Sequence, residues 1–79
     1  MELADPSMAK SVFTGAHGHL VAVLTEARMR SGLTQAELGA RVGKDQTFVS
    51  IIERSQRRVD VLEFCALAHA MGEDPMRLF

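Results

Sequence analysis

The chain has 79 residues, a 47% hydrophobic fraction, 24% charged residues and a formal net charge of −1. That length is one small domain with a modest core, too short for a β/α barrel and too apolar for a wholly disordered chain. Four Phe without Trp or Tyr argue against a sandwich or barrel, and the single Cys excludes an internal disulfide framework and a thiolate-based zinc site.

Residues 1–13 show no apolar periodicity, and Asp5-Pro6-Ser7 reads as coil, so a flexible N-terminal segment ahead of a domain at 14–79 is expected. The first helix is predicted after Thr14, with Leu20, Val23, Leu24 and Ala27 on one face. It ends near Ser31, where Gly32 suits a left-handed residue beyond the last turn. Thr34 and Glu37 have the spacing of a capping box, which opens a second helix with Leu38 and Val42 inside and Gly43 at its close. Asp45 caps a third helix whose inward pair is Val49 and Ile52. Asp60 and Glu63 repeat the capping-box spacing before Val61, Phe64, Leu67, Ala68 and Met71, and Gly72 stops this fourth helix. Asp74-Pro75 then starts a short fifth helix that reaches Phe79. The chain is therefore expected to be all-α, a compact five-helix domain with short connections.

Charge is not spread evenly along these elements. Between residues 28 and 58, Arg28, Arg30, Arg41, Lys44, Arg54, Arg57 and Arg58 face only Glu37, Asp45 and Glu53, a net of +4. The remainder sets Lys10 and Arg77 against seven carboxylates, a net of −5. A basic centre between acidic ends suits nucleic acid as well as an ordinary solvated surface. No apolar run approaches the roughly 18 residues of a membrane span, and no basic-then-apolar leader opens the chain. A soluble cytoplasmic protein without membrane contact is expected.

The informative stretch is TQAELGARVGKDQTFVSIIER, residues 34–54, in which two short helices meet at a turn built on Gly43. Gly39 stands where the helices would cross. Glycine inside a helix costs about 1 kcal/mol relative to alanine, so close approach is a reason to keep it. This is the spacing of a helix-turn-helix, although an αα-hairpin in any small bundle shares it.

The sequence LTEARMRSGLTQAELGARVG, followed by QTFVSIIERSQRRVDVLEF, resembles the Cro/CI-type (XRE) helix-turn-helix family of prokaryotic and phage repressors. The likeness covers about residues 20–79 and rests chiefly on Gly32-Leu33-Thr34-Gln35, Glu37-Leu38, Val42-Gly43, Val49-Ser50 and Ile52-Glu53-Arg54. It implies a λ-repressor-like fold and a transcriptional regulator. Such a protein binds palindromic double-stranded DNA as a homodimer, with its third helix in the major groove.

Residue roles follow from the resemblance. Gln35 matches a glutamine that meets a phosphate while bracing the recognition helix. Gln46, Thr47, Ser50 and Ile51 are the base-reading candidates, because Gln can bond bidentately to adenine and Thr or Ile can meet a thymine methyl. Lys44, Arg54, Gln56, Arg57 and Arg58 join Gln35 as phosphate contacts that position rather than specify. Arg28 and Glu53 match a structural salt bridge between the first and third helices. Phe48 suits either the core or a wedge against the DNA backbone. Lys44, Ile51 and Ser55 depart from the family pattern, which favours an apolar, a polar or basic, and a glycine residue there.

Phe64, Leu67, Met71, Met76, Leu78 and Phe79 exceed what a core of this size needs and are the expected dimer surface. Cys65 with His17, His19 and His69 forms no ligand-like motif, so no metal or other cofactor is expected. Ser50 lacks a histidine partner, and the carboxylates serve as caps or in the salt bridge, so no catalytic site is expected. The chain is too short for a separate effector domain, which leaves concentration, a partner protein or operator competition as control. An antitoxin or protein-interaction module on the same fold, binding DNA only secondarily, is the alternative reading.

Overall fold

The computed structural model of the chain describes residues 6–79. Five helices follow in order: α1 Pro6–Ser31, α2 Gln35–Arg41, α3 Gln46–Glu53, α4 Val61–Ala70 and α5 Pro75–Leu78. No strand occurs among the described residues, so the chain is all-α as its periodicity predicts. No helix of the described residues is long and apolar enough to cross a membrane.

The starts of α2, α3, α4 and α5 are each fixed by a short polar side chain at the residue the sequence marks. Thr34 Oγ1 accepts from Glu37 N at 3.0 Å, while Glu37 Oε1 accepts from Thr34 N at 2.8 Å. These bonds hold the Glu37 carboxyl below its usual pKa. Asp60 and Glu63 repeat the arrangement on α4, Asp45 caps α3 through Phe48 N, and Asp74 caps α5 through Met76 N. Such caps satisfy amides that have no partner within their own helix.

The helix ends are equally uniform. After α1, α2, α3 and α4 the chain closes with a pair of backbone bonds reaching back to the last turn, as Leu33 N→Arg28 O and Gly32 N→Met29 O do after α1. This motif requires a left-handed residue. Gly32, Gly43 and Gly72 supply it with φ near +74°, and after α3 Ser55 takes the same place at φ 59°. Serine thus adopts the conformation that glycine serves elsewhere in the family pattern.

Two expectations change. The segment 1–13, expected as coil, lies outside the described residues at 1–5 but is helical from Pro6. Proline is tolerated in a first turn, and Met8, Ala9 and Lys10 are good helix formers. These turns are not legible in the sequence because residues 6–13 carry no apolar repeat to mark a helix. The second correction concerns the dimer surface. Phe64, Leu67 and Met71 lie inside, with Leu24, Ala27, Leu38, Val49 and Ile52, and are unavailable to a second molecule. Three helices meeting on one small core need the whole inner face of α4. Of the six residues, only Met76 (89% exposed) and Phe79 (61%) lie on the surface, with Leu78 half-buried.

Candidate nucleic-acid interface

The α2–α3 unit positions the candidate reading face. Leu38, Val49 and Ile52 pin its inner side to the core, each about 2% exposed. Gly39 packs directly on the chain entering α3: a Cβ added there would lie 2.6 Å from the Asp45 carbonyl carbon and 3.2 Å from its Cα. Both distances are well inside ordinary contact. The two helices therefore cross at a separation only glycine allows.

With the inner side fixed, α3 presents Gln46 and Thr47 to solvent and leaves Ser50 and Ile51 half-buried. Ile51 stands between the half-buried Ser50 and the buried Ile52. Phe48 is half-buried and packs against the core, with Arg57 5.0 Å and Lys44 5.7 Å from the ring centre. Its packing against the core favours the core role for Phe48, and the two cations add cation–π contact to its ring.

A polar chain joins the reading face to α1. Arg28 donates from Nε to Glu53 Oε2 at 2.6 Å and from Nη2 to Glu53 Oε1 at 2.9 Å, and also donates to Leu33 O at 2.9 Å. The pair is largely shielded, with side chains 13% and 10% exposed. Hydrogen bonding to Glu53, reinforced by its charge, keeps the Arg28 pKa above its ordinary value. Glu53 Oε1 also accepts from Gln35 Nε2 at 3.0 Å, and Gln35 Oε1 accepts from Gln46 Nε2 at 3.3 Å. The resemblance suggests that Gln35 braces α3. It gives no hint of the Glu53–Gln35 bond, because positions 35 and 53 meet only once three helices have docked.

The cations divide into two groups. Arg57 donates to both oxygens of Glu63 at 2.9 and 2.7 Å and to the Arg58 carbonyl. Its charge is paired with a carboxylate on α4. The bonds from Arg57 and the Asp60 amide pull the Glu63 carboxyl down to about 2. A bidentate pair six residues apart across a loop has no helical periodicity to reveal it. Arg41 donates to Ala70 O at 2.8 Å, and Arg30 lies 3.6 Å from Glu73. By contrast Lys44, Arg54 and Arg58 are exposed and make no ion pair among the described residues. Gln56, also exposed, lies beside them where α3 ends.

Among the described residues no cluster of three or more His, Cys, Asp or Glu has the geometry to hold a metal. Cys65 is half-buried on α4, and His19 meets Phe79 edge-to-face at 5.1 Å.

Comparison with known proteins adds the following. The family described as a helix-turn-helix domain matches residues 19–78. An uncharacterized HTH-type transcriptional regulator, y4dJ of Sinorhizobium fredii, is 39% identical over 51 residues, which span 65% of this chain and 66% of that protein. An XRE-family like protein from Pseudomonas syringae superposes with a TM-score of 0.85 and 41% identity, covering 90% of this chain and 87% of the other. The restriction-modification controller protein C.AhdI from Aeromonas hydrophila superposes with a TM-score of 0.74 and 32% identity, covering 82% and 98%.

Proposed function

Because the chain belongs to the XRE-type helix-turn-helix family of DNA-binding transcriptional regulators, we propose that it is a homodimeric repressor that reads a palindromic operator with α3 in the major groove. The observation that carries this reading is the outer face of α3. It offers the exposed Gln46 and Thr47, with Ser50 and Ile51 beside them, and the sequence brings to it three exposed cations that make no ion pair among the described residues. Gln46 reads adenine, Thr47 and Ile51 meet a thymine methyl, and Ser50 bonds to a neighbouring base. Lys44, Arg54 and Arg58, with Gln35 and Gln56, hold phosphates on either side. The protein acts in the cytoplasm on DNA, without catalysis or a cofactor.

The dimer is formed through α5, where Met76 and Phe79 remain exposed after the core is built. Apolar side chains of that size are unfavourable in water unless a partner covers them. Sedimentation velocity of Met76→Glu checks this assignment: loss of a wild-type dimer supports it, and an unchanged species refutes it.

A salt titration of operator binding tests the whole. Three cations in each protomer make about six phosphate contacts in the dimer, so log K should fall against log[salt] with a slope of about −5. A flat profile refutes the DNA reading. Arg58→Ala should weaken every sequence alike, whereas Gln46→Ala should relax a single position in each half-site.

A second reading, an antitoxin or other protein-binding module, is favoured by one observation. A mainly apolar groove of about 240 Å³ lies beside α3, lined by Val42, Phe48, Leu62, Ala66 and Leu67 together with the charged Lys44, Asp60 and Glu63, and Leu62 is 81% exposed. A toxin-like gene beside this one would favour that reading, and a restriction or phage operon would favour the regulator.

A further inference from the structure

The Arg28–Glu53 pair has a consequence beyond stability, carried by the direction of the hydrogen bonds that leave it. A carboxylate can only accept, so the group that Gln35 turns toward Glu53 must be its amide NH2, as the 3.0 Å bond from Nε2 shows. The Gln35 carbonyl oxygen then faces away from Glu53 and accepts from Gln46 Nε2 at 3.3 Å. Gln46 is thereby held with its own NH2 toward α2, leaving Oε1 and one N–H for a ligand. That is the donor–acceptor edge that complements adenine N7 and N6. Reversing the Gln35 amide would set its carbonyl against the carboxylate and its NH2 against that of Gln46, and reversing the Gln46 amide would set carbonyl against carbonyl.

From this geometry we infer that Glu53 is a specificity-positioning residue: through Gln35 it fixes the amide polarity of Gln46 and so the base preferred opposite it. The inference rests on Gln46 reading a base. Glu53 touches no DNA in this scheme. Its neighbour Arg28 supplies the second and third hydrogen bonds that hold the carboxylate in place, but Arg28 does not set the polarity.

The test is selection of bound DNA from a random pool by wild type, Glu53→Gln, Arg28→Lys and Gln46→Ala, each with a thermal melt to show that it is folded. Gln46→Ala identifies the half-site position in question. Glu53→Gln can present either an oxygen or an NH2 to Gln35, so it should flatten the preference at that position about tenfold and leave the others sharp. Arg28→Lys weakens the ion pair while keeping an acceptor-only residue at 53, so it should lose stability yet keep the preference. If Glu53→Gln does not fold, Gln35→Leu breaks the same chain with the ion pair intact and should give the same flattening. A Glu53→Gln profile as sharp as wild type, or equal flattening at every position, overturns the inference while leaving the base-reading assignment standing. A wild type that enriches no sequence overturns that assignment itself.

Discussion

Replacing Gly39 by alanine is expected to lower the melting temperature by about 6–12 °C, although alanine is the better helix former. The added methyl would lie 2.6 Å from the carbonyl carbon of Asp45 and 3.2 Å from its Cα. Reaching ordinary contact needs a shift of about 1 Å between α2 and α3. The obstacle is backbone, so no side-chain rotation relieves it. Overpacking of this kind costs roughly 1–3 kcal/mol, and its rigid neighbour puts this case at the upper end. The helix-propensity gain of about 1 kcal/mol offsets part, leaving a net loss of about 1–2 kcal/mol. In a chain of this size each kcal/mol moves the midpoint by about 6 °C. Gly18→Ala is the internal control: it lies within α1, where an added Cβ meets nothing within 4 Å. It should raise the midpoint by about 4–6 °C through propensity alone. Circular-dichroism melts of both variants against wild type decide the matter. A Gly39→Ala protein that melts at or above wild type would refute the close-approach reasoning.

Other perturbations follow from the caps and ion pairs. Ser55→Gly removes a left-handed serine that costs about 1–2 kcal/mol, against the greater unfolded freedom of glycine, and should raise the melting midpoint by about 3–6 °C. Arg28→Met strands the shielded Glu53 carboxylate and should cost about 3 kcal/mol in urea unfolding, with a loss below 1 kcal/mol pointing to a solvated pair. Glu63 ionises at about 2 in the folded chain against an ordinary 4.5, so its stabilisation is complete above pH 4.5 and is lost as pH falls toward 2. Glu63→Gln keeps the α4 capping box but should flatten the acid limb of a pH–melting curve, and a limb as steep as wild type would count against the Arg57–Glu63 pair.

The sequence made the helices legible because their ends carry chemistry in the chain itself. Thr34, Asp45, Asp60 and Asp74 each mark a cap that acts over three residues or fewer, and Gly32, Gly43 and Gly72 mark ends that need a left-handed residue. The α2–α3 crossing was legible in Gly39, since a helix tolerates glycine at a cost. Two things were not. Periodicity could not show that α1 runs on toward Pro6, because residues 6–13 carry no apolar repeat. Nor could it divide the apolar residues of α4 and α5 between core and surface, since Phe64 and Phe79 look alike until the helices are docked. The Arg57–Glu63 pair was not legible for a related reason: a basic residue in a basic stretch carries no sign that a carboxylate six positions on will pair with it.

The bond between Gln46 and Gln35 also bears on how readily this protein could acquire a new target. Thr47 is exposed and makes no side-chain hydrogen bond among the described residues, so under the proposed base-reading role exchanging it should alter recognition at little expense to folding, typically within about 0.5 kcal/mol. Position 46 has no such freedom. A new side chain there gives up the bond to the Gln35 oxygen, which water then satisfies, so a sharp new preference at 46 is best restored by a matching change at 35. Drift in target choice should therefore proceed one residue at a time at 47, and by paired replacement at 35 and 46.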